Sequence, residues 1–183
     1  RNAKPAEKKQ KKEKKQIEVL PFEKQAEWFN EKIDLKVAKI IKVENNPESD
    51  KLYIETLDDG SGTERIIQSG LRPYLKEEEL LGKHVIIAAN LAPRKMKGVE
   101  SRGMLLASDY VEDGVEKVEL LTAPWAAPGT QVVLEGFEPS EKPAKIDIDK
   151  FCKVEYKIVN KMAQAAGKNL VAAEKPIVME KTV

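Results

Sequence analysis

From Ile33 onward, apolar residues recur at every second position in short segments, each stopped by a cluster of turn-forming residues. A period of two places successive side chains on opposite faces of a strand, so the chain is restricted to a fold built mainly from short β-strands. Ile33, Leu35 and Val37 alternate with Asp34, Lys36 and Ala38, and then Lys39 breaks the phase before Ile41 and Val43. A β-bulge inside a long first strand explains the slip, because one extra residue inverts the face taken by every later side chain. Asn46-Pro47 ends that strand. Leu52–Leu57 forms a second, stopped by the turn-formers Asp58-Asp59-Gly60-Ser61-Gly62, and Arg65–Ser69 returns as a third. Pro73 opens a helical stretch, Leu75–Leu81, that Gly82 terminates. His84–Asn90 reads as a buried fourth strand and Val99–Ala107 as a fifth, after the basic loop Ala92–Gly98.

Five short strands with one helix between the third and fourth have the order of an OB-fold, a five-stranded β-barrel. Val118–Leu121 and Gln131–Leu134 are expected as extra strands, separated by a proline- and alanine-rich loop around Trp125. Residues 138–145, EPSEKPAK, read as a linker-like boundary. Beyond it, Phe151, Val154 and Ile158 predict one helix, and Leu170–Ala173 with Ile177–Met179 predict two strands. Upstream, Phe22, Ala26 and Phe29 recur at helical spacing and predict a short amphipathic helix. Residues 4–16 contain no large apolar side chain to hold them against a core. The expected organisation is a basic mobile arm (1–21), a lead-in helix (22–32), an OB-fold domain (33–137) and a small α+β C-terminal appendage (138–183).

Charge is distributed unevenly. Residues 1–16 hold Arg1 and seven lysines, among them Lys8, Lys9, Lys11, Lys12, Lys14 and Lys15, against only Glu7 and Glu13. A local cluster creates its own field within a Debye length of about 10 Å, so the net charge of +1 does not argue against a polyanionic partner. The longest apolar runs, such as Val85–Ala89, fall far short of the roughly 20 residues of a membrane-spanning helix. No membrane partner is expected. Cys152 is the only cysteine, which excludes an internal disulfide and fits a reducing, cytoplasmic setting. The chain begins at Arg1 with a polar stretch that carries no apolar signal core, and it reads as a fragment or a processed product.

Enzyme readings fail on missing parts. His84, the only histidine, opens an apolar strand with no serine or cysteine motif beside it. Asp58-Asp59 and Glu77-Glu78-Glu79 fall in a turn and on an exposed helix, where solvated roles prevail over acid–base work. Gly60 and Gly62 belong to a hairpin and do not form a phosphate-cradling loop. No cofactor is implied.

The stretch Asn90–Met104, NLAPRKMKGVESRGM, is the most informative. Arg94, Lys95, Lys97 and Arg102 stand against Glu100 alone, in a strand–loop–strand hairpin. OB-folds bind nucleic acid on a barrel face flanked by loops, where cations track phosphates. Asn90, Ser101 and Ser69 are candidates for hydrogen bonds, and Met104 for an adaptable apolar contact. An exposed charged hairpin without a ligand is the alternative, and composition alone favours it.

Three strings change that balance. NPESDKLY at 46–53, IIQSGL at 66–71 and NLAPRKMKGVESRGMLLAS at 90–108 resemble the signature of a family of tRNA-binding domains. The family includes a bacterial structure-specific tRNA-binding protein, C-terminal domains of some methionyl- and tyrosyl-tRNA synthetases, and the endothelial monocyte-activating polypeptide. The resemblance covers about residues 33–137. It implies a non-catalytic protein whose tRNA surface includes Arg65, Ser69, Asn90, Lys95, Lys97, Ser101 and Met104, to which charge and position add Arg94 and Arg102. It also implies recognition of folded shape, with little preference for one tRNA. The lysine-rich arm resembles the fungal branch, whose members deliver tRNA to methionyl- and glutamyl-tRNA synthetases through a further region expected to be absent from this fragment. The appendage resembles a module that mimics a dimer interface, which implies a monomer. A synthetase appendage and a released cytokine-like polypeptide are the other readings.

Overall fold

The computed structural model describes residues 3–5 and 18–183. The lysines at 8–15 lie outside the described residues. In chain order the elements are β1 (Ala3–Pro5), α1 (Phe22–Lys32), β2 (Leu35–Asn45), β3 (Tyr53–Asp58), β4 (Arg65–Ser69), α2 (Glu77–Leu80), β5 (His84–Ala88), β6 (Arg94–Met96), β7 (Val99–Ser101), β8 (Met104–Glu112) and β9 (Val115–Leu120). They continue with β10 (Gln131–Leu134), α3 (Ile148–Phe151), β11 (Tyr156–Val159), β12 (Met162–Ala165), β13 (Lys168–Ala172) and β14 (Lys175–Pro176). The protein is mainly β, and among the described residues these strands pair antiparallel, with one isolated parallel bridge between Leu91 and Ile146.

The long strand β2 organises the sheet. It pairs with β3 on one side and β5 on the other, and its start also pairs with β10. The expected bulge is present as a register shift against β3 between Ile40 and Lys42. Its effect is visible in the packing. Ala38 and Ile40 face one core cluster; past the bulge the odd-numbered Val43 packs against that same cluster, while Ile41 is exposed.

Two core clusters lie on the two faces of the central strands. Val85 and Ile87 of β5 join one, with Leu57, Ile67, Leu80 and Leu105; Ile86 and Ala88 join the other, with Leu35, Val37 and Leu106. A strand covered on both faces needs apolar side chains at every position, which accounts for the unbroken run Val85–Ala89. The second cluster also contains Phe29 from α1 and Phe151, Val154, Ile158, Leu170 and Ile177 from the C-terminal region. Residues 138–183 therefore share a core with the sheet.

The expected five-stranded barrel is not formed by the hydrogen bonds, which build an open antiparallel sheet. The strand expected over Val99–Ala107 is split into β7 and β8 by Gly103, whose φ of +127° lets the backbone turn where an added Cβ would stand 2.7 Å from the Ala88 carbonyl oxygen. Beside β4 the ladder is replaced by separate bonds: the Arg102 N–H donates to Ile66 O at 2.8 Å, and the Gln68 N–H to Ser101 Oγ at 3.0 Å.

The helix expected through Phe151, Val154 and Ile158 is a second correction. Only Ile148–Phe151 is helical, N-capped by Asp147. Ile158 lies on β11, where Tyr156 turns back to stack on Phe151 with centroids 4.7 Å apart. Three buried positions at helical spacing arise here from a helix, a turn and a strand in succession. The strand expected at Ile177–Met179 is reduced to β14 at Lys175–Pro176 and one bridge between Met162 and Val178. β1, β12 and the short β6 were not anticipated; within the arm expected to be mobile, Ala3–Pro5 pairs through its backbone with Leu106–Ser108 of β8.

Candidate nucleic-acid interface

β6 and β7 pair at Arg94 with Ser101, Lys95 with Glu100 and Met96 with Val99, which leaves Lys97-Gly98 as a two-residue turn. Both turn residues have positive φ, 47° and 82°, the arrangement whose twist matches that of the flanking strands. Glycine adopts this region freely; a lysine there costs on the order of 1 kcal/mol and persists where surrounding bonds over-determine it. The side chains of Arg94, Lys95, Lys97 and Arg102 are all exposed. Arg102 meets Glu100 at 2.9 Å, but both are open to solvent, so the pair contributes about 0–1 kcal/mol. The ion pairs among the described residues use none of Arg94, Lys95 and Lys97.

The other sequence-derived candidates lie beneath this surface. Arg65 donates from Nε to Asp59 at 2.9 Å and from Nη1 to Ala89 O at 3.0 Å and Arg102 O at 2.7 Å. Burial raises the Asp59 pKa, but hydrogen bonds from Ser61 and the Arg65 guanidinium outweigh it and hold the carboxyl below its ordinary range. Ser69 is buried and donates to Glu55. Asn90 is buried at a three-way junction: Nδ2 donates to Lys32 O and Pro143 O, each at 2.9 Å, and Oδ1 accepts from the Asp34 N–H at 3.2 Å. Ser101 is buried against β4, and Met104 belongs to the core cluster shared with the C-terminal region. The structure thus brings four cations together on the outside and buries Ser69, Asn90, Ser101 and Met104, while Arg65 is half-buried; of these, Arg65 bonds to Arg102 O and Ser101 ties the hairpin to β4. The arm lysines lie outside the described residues. His84 is held by Nδ1 donating to Ala126 O at 2.8 Å.

Sequence reasoning missed Asn46 and Gln68, although both stand inside the strings NPESDKLY and IIQSGL. Their side-chain partners include backbone carbonyls 28, 31 and 51 residues away, which no local signal announces. It also missed an open cleft of about 1030 Å³ beside the hairpin, lined by residues 45–52, Arg72, Met96 and Lys97.

A mainly β domain with exposed cations projecting from a short hairpin beside an open cleft has the make-up of a nucleic-acid-binding module. Residues 35–131 match the tRNA binding domain family, and the chain belongs to that family. Over 168 residues it is 55% identical to the methionine–tRNA ligase of Treponema denticola, a match covering 85% of this chain and 21% of the ligase. The cytoplasmic tyrosine–tRNA ligase of Xenopus laevis is 39% identical over 146 residues, which is 76% of this chain and 27% of that one. The chain spans about a fifth of the length of the bacterial ligases it matches. In fold it is similar to the C-terminal domain of Plasmodium vivax p43, with a TM-score of 0.71 over 82% of this chain and 93% of that one at 23% identity.

Proposed function

We propose that the chain is a non-catalytic module that binds tRNA by its folded shape and supplies it to an aminoacyl-tRNA synthetase. The observation that carries this reading is the hairpin: Arg94, Lys95 and Lys97 are exposed, form no ion pair among the described residues, and are held on a defined turn within the family-matched segment. Cations on flexible stems neutralise phosphates of any tRNA, while no group at this surface is arranged to read one base edge. Arg102 adds to the phosphate contacts. Arg65, Ser69, Asn90, Ser101 and Met104 keep the surface in shape, and the lysines at 8–15 widen the electrostatic capture radius. The open sheet works as an OB-type platform, its missing ladder bridged by Arg65 and Ser101. Binding raises the local tRNA concentration for a synthetase by tethering, which is effective-concentration chemistry and needs no bond making.

Delivery in trans to methionyl- and glutamyl-tRNA synthetases, by a cytoplasmic monomer with no membrane partner, is the main form of the proposal. A second form, an appendage acting in cis on a methionyl-tRNA synthetase, rests on the relatives being full-length ligases of which this chain matches about a fifth. The test of tRNA binding is a charge swap. Replacing Lys95 and Lys97 with glutamate is expected to weaken tRNA binding in a filter assay far more than the same change at Lys76 and Lys83, which are also exposed but lie beside α2. Equal losses would reduce the effect to overall charge and remove the assignment of the hairpin.

A further inference from the structure

The hairpin tip is tied down from beneath by two buried amides. Gln68, on β4, is fully buried, and its Nε2 donates to Met96 O at 2.8 Å and to Val99 O at 3.1 Å, the two carbonyls that flank the Lys97-Gly98 turn. Its Oε1 accepts from Asn46 Nδ2 at 2.7 Å, and the same Nδ2 reaches Lys97 O at 3.4 Å. Asn46 is 2% exposed and is itself aligned by accepting the Glu48 N–H at 2.7 Å. Carbonyls only accept, so the bonds to Met96, Val99 and Lys97 require both nitrogens to face the tip.

Such an arrangement is needed because the hairpin cannot hold itself. Its strands are three residues each, most of its side chains are exposed, and Lys97 carries a left-handed backbone; an isolated two-stranded ribbon of this kind is marginal at best. Burying two amides is unfavourable unless their hydrogen bonds are made, and here the donors are directed to the outward-facing tip.

We propose that Gln68 and Asn46 are positioning residues for RNA recognition: they hold the β6–β7 tip at one height and angle, so that Arg94, Lys95 and Lys97 meet phosphates at the same time. The inference rests on the reading of this hairpin as the tRNA-binding element. Without the amides each cation still attracts phosphate, but fewer are engaged together, and preorganisation is lost.

The number of phosphates engaged together is read from the salt dependence of binding. Each contact contributes about 0.9 to the slope of log K against log salt, which amounts to roughly eightfold in affinity at about 0.1 M salt. Two variants of the whole chain, assayed with mixed tRNA, isolate the effect. Gln68→Met removes both donors at similar volume. Asn46→Asp keeps the acceptor for the Glu48 N–H and removes the donor to Gln68 and Lys97. Each is expected to melt cooperatively, to bind roughly eightfold more weakly at about 0.1 M salt, and to show a slope shallower by about one contact. Adding Lys97→Ala should cost less in the Gln68→Met background than in wild type, because the two changes act on one unit.

A weaker variant with the wild-type slope would mean only a smaller folded fraction and would overturn the inference, as would unchanged binding. If Gln68→Met fails to fold, Asn46→Asp decides by the same slope. Wild-type protein that does not bind tRNA at low salt would overturn the tRNA reading and this inference together, whereas wild-type binding with unaltered variants overturns the inference alone.

Discussion

Arg65 shows how one side chain can serve a surface it does not belong to. Its guanidinium spans Asp59 on one side and the carbonyls of Ala89 and Arg102 on the other, joining the edge of β4 to the segment where β7 gives way to β8. The Asp59 carboxyl is held below its ordinary value of 3.8. A carboxyl with a depressed folded pKa adds stability that is fully present above the unfolded value and is lost as pH falls through the folded one. Acid unfolding monitored by circular dichroism should therefore show Asp59→Asn destabilised relative to wild type near pH 7, by about 1.5–3 kcal/mol for a mostly buried charged hydrogen bond. That difference should shrink below about pH 4. A constant difference down to pH 2 would show that the charge of Asp59 contributes nothing. Met104, read from the sequence as an RNA contact, has a distinct expectation from its burial in the shared core: Met104→Ala should lower stability by about 2–5 kcal/mol in a denaturant titration.

At the scale of the element, the hairpin separates stability from binding. Lys97 sits in a conformation that suits asparagine or glycine, since both turn residues have positive φ. Lys97→Asn should keep or raise the melting temperature, because Asn-Gly is the preferred pair for this turn, and should weaken tRNA binding severalfold through the lost cation. A variant that loses both together would indicate that the lysine side chain is part of the fold. The hairpin was legible as a basic segment from its composition, and its register was not. Two strands of three residues carry too little periodicity to be told from a loop; only the carbonyls taken up by Gln68 and Asn46 reveal where its tip is held.

At the scale of the whole molecule, the C-terminal region and the sheet stabilise each other. Phe151, Val154, Ile158, Leu170 and Ile177 pack in one cluster with Leu35, Val37, Ile86 and Leu106. The far end of the chain is bound as well: the Glu119 carboxylate on β9 accepts the backbone N–H groups of Glu180, Lys181 and Thr182. Fully burying a large apolar side chain contributes about 1.5–3 kcal/mol, so five of them amount to roughly 10 kcal/mol, comparable to the whole stability of a domain. Deleting residues 138–183 is expected to abolish cooperative melting and make the remainder aggregate, although the family match ends at residue 131. A deletion variant that stays monomeric and melts cooperatively would show that the two parts fold independently.

The alternation from Ile33 to Val43, its slip at the bulge, the turns at Asn46-Pro47 and Asp58–Gly62, and the cationic stretch around Lys95 were all determined by the sequence, because each depends on residues within one strand or turn. Tertiary structure alone decided which candidates face solvent. Asn90, Ser101 and Met104 stand in the same string as Lys95 and Lys97, and Ser69 in IIQSGL, yet all four are buried. Their partners Glu55, Lys32, Pro143 and Gln68 come from other elements. Whether a polar side chain meets water or a buried carbonyl depends on what packs over it, and that is supplied by residues far away along the chain.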